Sequence, residues 1–247
     1  MPVIGARQSP INIVRSKSLQ LSDPKDLFTV DYAMGTKVTG TFKAHNFELD
    51  PPVYPQITFR HRRFNLRRIH IHHASEHLFD DRGSEFEIHL VHFPDRISTL
   101  TPQIALDAPK VVVGILYREG PDGTSNPAME WMNRVLGPIL EGLGGRNLPL
   151  RALNAEPAVS EDAVDPTEFF RRDDGAVDLD NWFHYEGSLT TGTFSEDVSW
   201  FVMDGERVVN PNATFNLKAF ADQDARPIHA VDRRLLVHSF APQSQAP

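Results

Sequence analysis

Between Phe28 and Phe64 the chain alternates apolar and polar residues in short bursts, FTVDYAM, KVTGTFKAH, FELDPP and QITFRH, cut by glycine or proline. A strand turns successive side chains to opposite faces, so this period of two predicts several short antiparallel or mixed strands. Val111 to Tyr117 is a continuous apolar run and reads as a buried central strand. Val198, Trp200 and Val202 alternate as another, and RPIHAVDRRLLVHSF supplies a loop and one more strand. The period changes over residues 126–143, where Met129, Met132, Val135, Leu136 and Ile139 recur at helical spacing, with Pro138 expected to kink or end the helix. Residues 144–181 are rich in proline, glycine and acid, and predict a long surface excursion with a short helix near Pro166 to Arg171.

The candidate chemistry sits in RIHIHHASEHLFDDRGSEFEIHLVH, Arg68 to His92, which holds six of the eleven histidines. Alternation puts His70 and His72 on one strand face and Ile69 and Ile71 on the other. Asp81 to Ser84 read as a turn, after which Glu87, His89 and Val91 share one face and Phe86, Ile88 and Leu90 the other. If the two strands pair, three imidazoles converge, with a carboxylate two residues from the third. Three imidazoles with one open position suit a catalytic zinc, whereas structural zinc sites are usually closed by four protein ligands. Glu87 would take the second ring N–H of a neighbouring histidine and fix its tautomer. The plainer alternative is a polar, exposed strand face.

Composition narrows this only slightly. The chain has 247 residues, enough for one large domain, and its net charge of -8 argues against a nucleic-acid partner. Cysteine is absent, so any zinc must be held by histidine or carboxylate. No apolar run is long enough for a membrane span, and MPVIGARQSP lacks the features of a signal peptide. The default expectation is a cytoplasmic protein, or a periplasmic or secreted one if a leader has been removed.

QSPINI, IHIHHASEH, EIHLVHF, VVVGILY, GSLTTGT with Val198 and Trp200, and RPIHAVDRRLLVHSF occur in an order that resembles the α-class carbonic anhydrases, bacterial members in particular. The resemblance runs from Gln8 to Phe240. It implies a mainly β, single domain over residues 1–247, built on a large twisted, mostly antiparallel central sheet with short peripheral helices and an insertion at about 144–181. It further implies reversible hydration of carbon dioxide to bicarbonate and a proton through a zinc-bound hydroxide. His70, His72 and His89 match the zinc ligands, and Thr190 and Glu76 match a relay in which Thr190 donates to Glu76 and accepts from the hydroxide. Glu87 matches the partner of His89. His45 matches a proton shuttle, a role suited to an imidazole of ordinary pKa. Val91, Val112, Leu189, Val198 and Trp200 match the apolar wall for carbon dioxide, and Thr191 and Tyr185 match polar positions beside it. Partners on this reading are carbon dioxide and bicarbonate, with a homodimer as the assembly considered.

The chain also departs from that pattern. Arg68 stands where the family usually has a glutamine supporting the first ligand; a guanidinium has no acceptor for a histidine N–H. Glu48 and Lys43 replace other polar cleft residues. A pairing of Glu48 with Arg68 across neighbouring strands is therefore expected, with Glu48 supporting His70 in place of the missing amide. Thr191-Gly192-Thr193 replaces a proline-rich loop, and alternation points His73 away from the other histidines. Two rival functions remain at this stage. One is a non-catalytic binding protein of the same fold, disfavoured by the retained histidines. The other is a zinc hydrolase of small esters, for which Arg68 and Lys43 would suit an anionic substrate.

Overall fold

The computed structural model describes residues 5–43, 46–49, 51, 53–121, 124–142, 158–159, 162–220 and 225–240. In chain order the first strands are β1 (Asn12–Ile13), β2 (Leu19–Gln20), β3 (Phe28–Val30), β4 (Gly40–Lys43), β5 (Asn46–Leu49), β6 (Gln56–Phe59), β7 (Arg62–His72) and β8 (Leu78–Phe79). There follow β9 (Phe86–Pro94), β10 (Lys110–Glu119), β11 (Ala158–Val159), β12 (Trp182–Gly187), β13 (Val198–Met203), β14 (Arg207–Val209) and β15 (Val237–His238). Thirteen of them form one mixed sheet along the path β11-β4-β5-β7-β9-β10-β13-β12-β15-β2, with β3, β6 and β14 attached beside it. Most pairings are antiparallel; β10 runs parallel to β13 and β14, and β15 parallel to β2. The four helices among the described residues are short except for α3: α1 (Pro24–Leu27), α2 (Pro102–Asp107), α3 (Pro127–Gly142) and α4 (Phe215–Phe220). None is long and apolar enough to cross a membrane.

The period of two sorts the sheet into faces. Ile69 and Ile71 of β7, Ile88 and Leu90 of β9, and Val111, Val113 and Ile115 of β10 join the larger core cluster, which Met129, Trp131, Met132 and Leu136 of α3 cover. The opposite face carries the histidines and a smaller apolar cluster around Val112, Tyr185, Val198 and Trp200. Burying each large apolar side chain contributes roughly 1.5–3 kcal/mol, so the first face supplies much of the hydrophobic stabilisation that holds the second in place.

Pro138 lies inside α3, which continues to Gly142, so of the two expected outcomes it does not end the helix, whose apolar stripe is anchored in the core. Two features differ from the sequence expectation. Residues 144–181 were expected to run over the surface. Within their described part, Val164, Pro166, Thr167, Phe169 and Phe170 are buried, and Phe169 and Phe170 belong to the main core. The expected short helix is a 3-10 turn at Pro166–Phe170, capped by the Asp165 side chain accepting from Thr167 N–H. The β7–β9 register also shifts between Leu66 and Arg68, a bulge at Arg67 that nothing in the alternation announces.

Candidate metal centre and its support

Cross-strand register gathers the site. One row runs Asn46, His70, His89, Gly114 and Val202 across β5, β7, β9, β10 and β13. Two residues along, a second row runs Glu48, Arg68, Val91, Val112, Trp200 and Tyr185. On the other side of the histidine row, His72 faces Glu87. A polar edge, an imidazole centre and an apolar floor therefore lie on one surface.

Ligand atoms of His70, His72 and His89 all lie within 4.8 Å of one another. The His72 ring centroid is 4.4 Å from that of His70 and 4.5 Å from that of His89. Burial, with the His70 and His89 imidazoles beside it, holds the His72 pKa well below the usual histidine range, so the ring is neutral and carries a lone pair. Both His72 ring nitrogens are buried without a hydrogen-bond partner among the described residues. An unsatisfied buried nitrogen is costly, and a divalent cation at the centre of the three rings would satisfy one. Three neutral nitrogen donors are also the set a catalytic zinc takes. The residues present fit that ion. His77, Glu87 and His89 also lie within such a distance of one another, but there the imidazole nitrogens are engaged with the carboxylate.

Glu87 fixes the third ring. Its Oε1 accepts from His89 Nε2 at 2.9 Å and from His77 Nδ1 at 2.7 Å. Its Oε2 accepts from the backbone N–H groups of Glu76 and His77 at 2.9 and 2.8 Å. Burial alone would raise this carboxyl, but the His77 and His89 rings and their hydrogen bonds hold it well below the usual range. A carboxylate only accepts, so His89 carries its proton on Nε2 and keeps the Nδ1 lone pair for the cluster. The other His77 ring nitrogen, Nε2, lies 2.6 Å from the Tyr185 hydroxyl, and that hydroxyl lies 2.8 Å from Ser9 Oγ. Gly114 makes room for this arrangement: a Cβ there would sit 3.0 Å from Glu87 Oε1.

Glu76 lies in the loop after β7, buried, with its Oε2 3.4 Å from His72 Nε2. Burial raises this carboxyl's pKa, the His89 ring and the nearby Thr190 hydroxyl act against that rise, and Arg226 N–H donates to its Oε1 at 3.3 Å. Val112, Val198 and Trp200 are buried in one cluster against which Val91 and Leu189 pack. Trp200 stands edge-on to His89, centroids 4.8 Å apart, and donates its indole N–H to Ser188 O at 3.0 Å.

Other expected residues fall elsewhere. Tyr185 is fully buried, stacked parallel to Trp200, with its hydroxyl spent on His77 and Ser9; it belongs to the support of the rings rather than to a substrate surface. Thr191 is exposed. His73 turns away, its ring 5.0 Å from Phe86. His45 and the side chain of Lys43 lie outside the described residues. Glu48 and Arg68 face each other in register and pair, with Arg68 Nη2 3.2 Å from Glu48 Oε1, while the residue opposite His70 is Asn46. His77, Ser9, Arg226 and Gly114 were not assigned from sequence. Their partners lie up to 217 residues away, as between Ser9 and Arg226, and short motifs carry no such signal.

The sequence profile of eukaryotic-type carbonic anhydrase matches residues 3–235. The chain is similar to a carbonic anhydrase of Nostoc sp., 25% identical over 245 residues covering 96% of this chain and 77% of that protein. It superposes on the α-carbonic anhydrase of Thermovibrio ammonificans, solved with the inhibitor sulfanilamide, with a TM-score of 0.69 at 22% identity, covering 95% of this chain and 88% of that one. Carbonic anhydrase Cah3 of Chlamydomonas reinhardtii, in complex with acetazolamide, gives 0.68 at 23% identity over 96% and 92% of the two chains. At these identities the superpositions speak for the fold. The profile match takes in both histidine strands and nearly every strand of the sheet, and it makes this chain a member of the eukaryotic-type carbonic anhydrase family.

Proposed function

We propose that the protein catalyses the reversible hydration of carbon dioxide to bicarbonate and a proton, with zinc held by His70, His72 and His89. The observation that carries this reading is a cluster of three imidazoles, one of them buried without a hydrogen-bond partner among the described residues, set beside an apolar cluster. Zinc in such a site lowers the pKa of a water it holds to about 7 and makes it a nucleophile at neutral pH, a magnitude known from carbonic anhydrases themselves.

The chain's own groups orient the reaction. Glu87 keeps a proton on His89 Nε2, leaving Nδ1 as a donor of electrons. Glu76 is the acceptor we assign to the Thr190 hydroxyl proton. The Thr190 oxygen can then only accept from the attacking water, which aims the water's lone pair away from Thr190 and toward the substrate. Val91, Val112, Val198, Trp200 and Leu189 offer a small apolar wall suited to carbon dioxide, an uncharged and weakly hydrated molecule. Each hydration releases a proton, and His45 is the residue we assign to carry it to solvent. Retention of all three histidines, with Glu76 and Thr190, supports an enzyme over a binding protein.

The test is stopped-flow carbon dioxide hydration by the zinc-loaded protein beside its Thr190→Ala variant. Misorienting the nucleophile should reduce kcat/KM about a hundredfold while zinc content stays the same. Wild-type protein loaded with zinc but inactive, or Thr190→Ala as active as wild type, would refute the proposal.

A further inference from the structure

Next to the histidine row stands an ion pair that the proposed chemistry leaves unused. Arg68 and Glu48 face each other across β7 and β5, and Arg68 faces Val91, the start of the apolar wall, across β9. Two residues of strand, about 7 Å, separate Arg68 from His70 on the same face. Its one hydrogen bond among the described residues is the single contact with Glu48 at 3.2 Å. Arg68 Nε is buried and has no partner there. The two side chains are 24% and 38% exposed, so the pair is reached by solvent and not sealed in the core.

A guanidinium presents five N–H donors in a planar fork that matches two oxygens of a trigonal anion. Glu48 engages that fork at one point, through Nη2, and the Phe93 ring centroid lies 6.0 Å from Cζ, which leaves donors of the fork without a hydrogen bond among the described residues. A part-exposed pair of this kind is held by about 1 kcal/mol or less, so an incoming anion can displace it. Bicarbonate is planar and carries one charge, and on the hydratase reading it would form at the histidine cluster two residues along the strand from Arg68.

We propose that Arg68 is an anion-docking residue for bicarbonate and that Glu48 competes for the same guanidinium, keeping the anion weakly held and quickly released. The proposal rests on the hydratase reading for the identity of the anion. The docking chemistry itself rests only on the ion pair. Arg68 thereby receives the product when it forms and presents it in the reverse reaction, while Glu48 sets its residence time.

The experiment is calorimetric titration of bicarbonate into zinc-loaded wild type, Arg68→Gln, Arg68→Lys and Glu48→Gln, with zinc content and melting temperature recorded for each. Glu48→Gln should bind bicarbonate about fivefold tighter and Arg68→Gln about fivefold weaker, the factor that about 1 kcal/mol represents. Arg68→Lys, keeping the charge without the fork, should fall between wild type and Arg68→Gln. The KM for bicarbonate dehydration should move in the same order. Affinities equal within twofold across properly folded, zinc-loaded variants would overturn the proposal. If wild type fails to hydrate carbon dioxide yet its bicarbonate affinity follows Arg68 and Glu48, the function reading falls and the anion site stands. Robust hydration with indifferent bicarbonate affinities would remove the anion site alone.

Discussion

Replacing Glu87 by glutamine keeps the shape of the side chain and takes away one of its two acceptor ends. In the native protein four N–H groups converge on the carboxylate, two imidazole N–H groups at Oε1 and two backbone N–H groups at Oε2. The backbone donors cannot change, so the amide oxygen must face them and the amide NH2 must face the rings. His77 and His89 would then have to switch tautomer to accept. For His89 that moves the proton onto Nδ1, the nitrogen needed for the metal, and zinc must displace it. Loss of such a supporting hydrogen bond costs about 10–100-fold in metal affinity. Any donor left unpaired in this buried setting adds about 1–3 kcal/mol of lost stability. Chelator competition measures the first quantity, and urea unfolding of metal-free protein measures the second. Zinc affinity within twofold of wild type, together with unchanged stability, would refute the tautomer argument.

Gly187→Ala would place a Cβ 2.2 Å from Ser9 Oγ and 2.7 Å from the Tyr185 ring, so a loss of about 1–3 kcal/mol is expected in urea unfolding. Phe169→Ala should cost about 3–5 kcal/mol by emptying core space; a loss below about 1 kcal/mol would mean that residues 166–170 do not seal the core as described. Acid sensitivity has an identifiable contributor in His92, which is fully buried, sits 2.6 Å from the Tyr32 hydroxyl and has its pKa lowered by burial to about 3. The unfolded chain takes up that proton near the ordinary pKa of 6.5. The stabilisation from a neutral buried His92 is therefore complete above that value and falls as pH drops toward 3, by about 1.4 kcal/mol per pH unit. His92→Gln should flatten the stability-versus-pH curve of metal-free protein within that window, and an unaltered slope would contradict the assignment.

How much of this was legible in the sequence depends on the distance over which each signal acts. Alternation alone separates His70 and His72 from Ile69 and Ile71, and the same rule holds on β9; both faces lie where the period puts them. The Glu48–Arg68 pair was legible because both residues depart from the family pattern at neighbouring positions. His77 was not, since its meaning comes from Glu87 and Tyr185, brought together only by folding. Phe169 and Phe170 were hidden by the acidic, proline-rich residues around them, although two adjacent aromatic rings seldom stay in water. Tyr185 was read as a polar position beside the apolar wall because the resemblance gave its place along the chain but not the direction of its hydroxyl.

Three imidazoles, one of them buried without a hydrogen-bond partner among the described residues, form a donor set that fits a divalent cation. Titrating metal-free protein with zinc while following bound metal and melting temperature tests this most directly. One zinc per chain with a rise in melting temperature is expected for wild type, and neither for His72→Ala, whose far-ultraviolet circular dichroism should match wild type. Wild-type protein that takes up no stoichiometric zinc, or His72→Ala that binds it as tightly, would contradict the account.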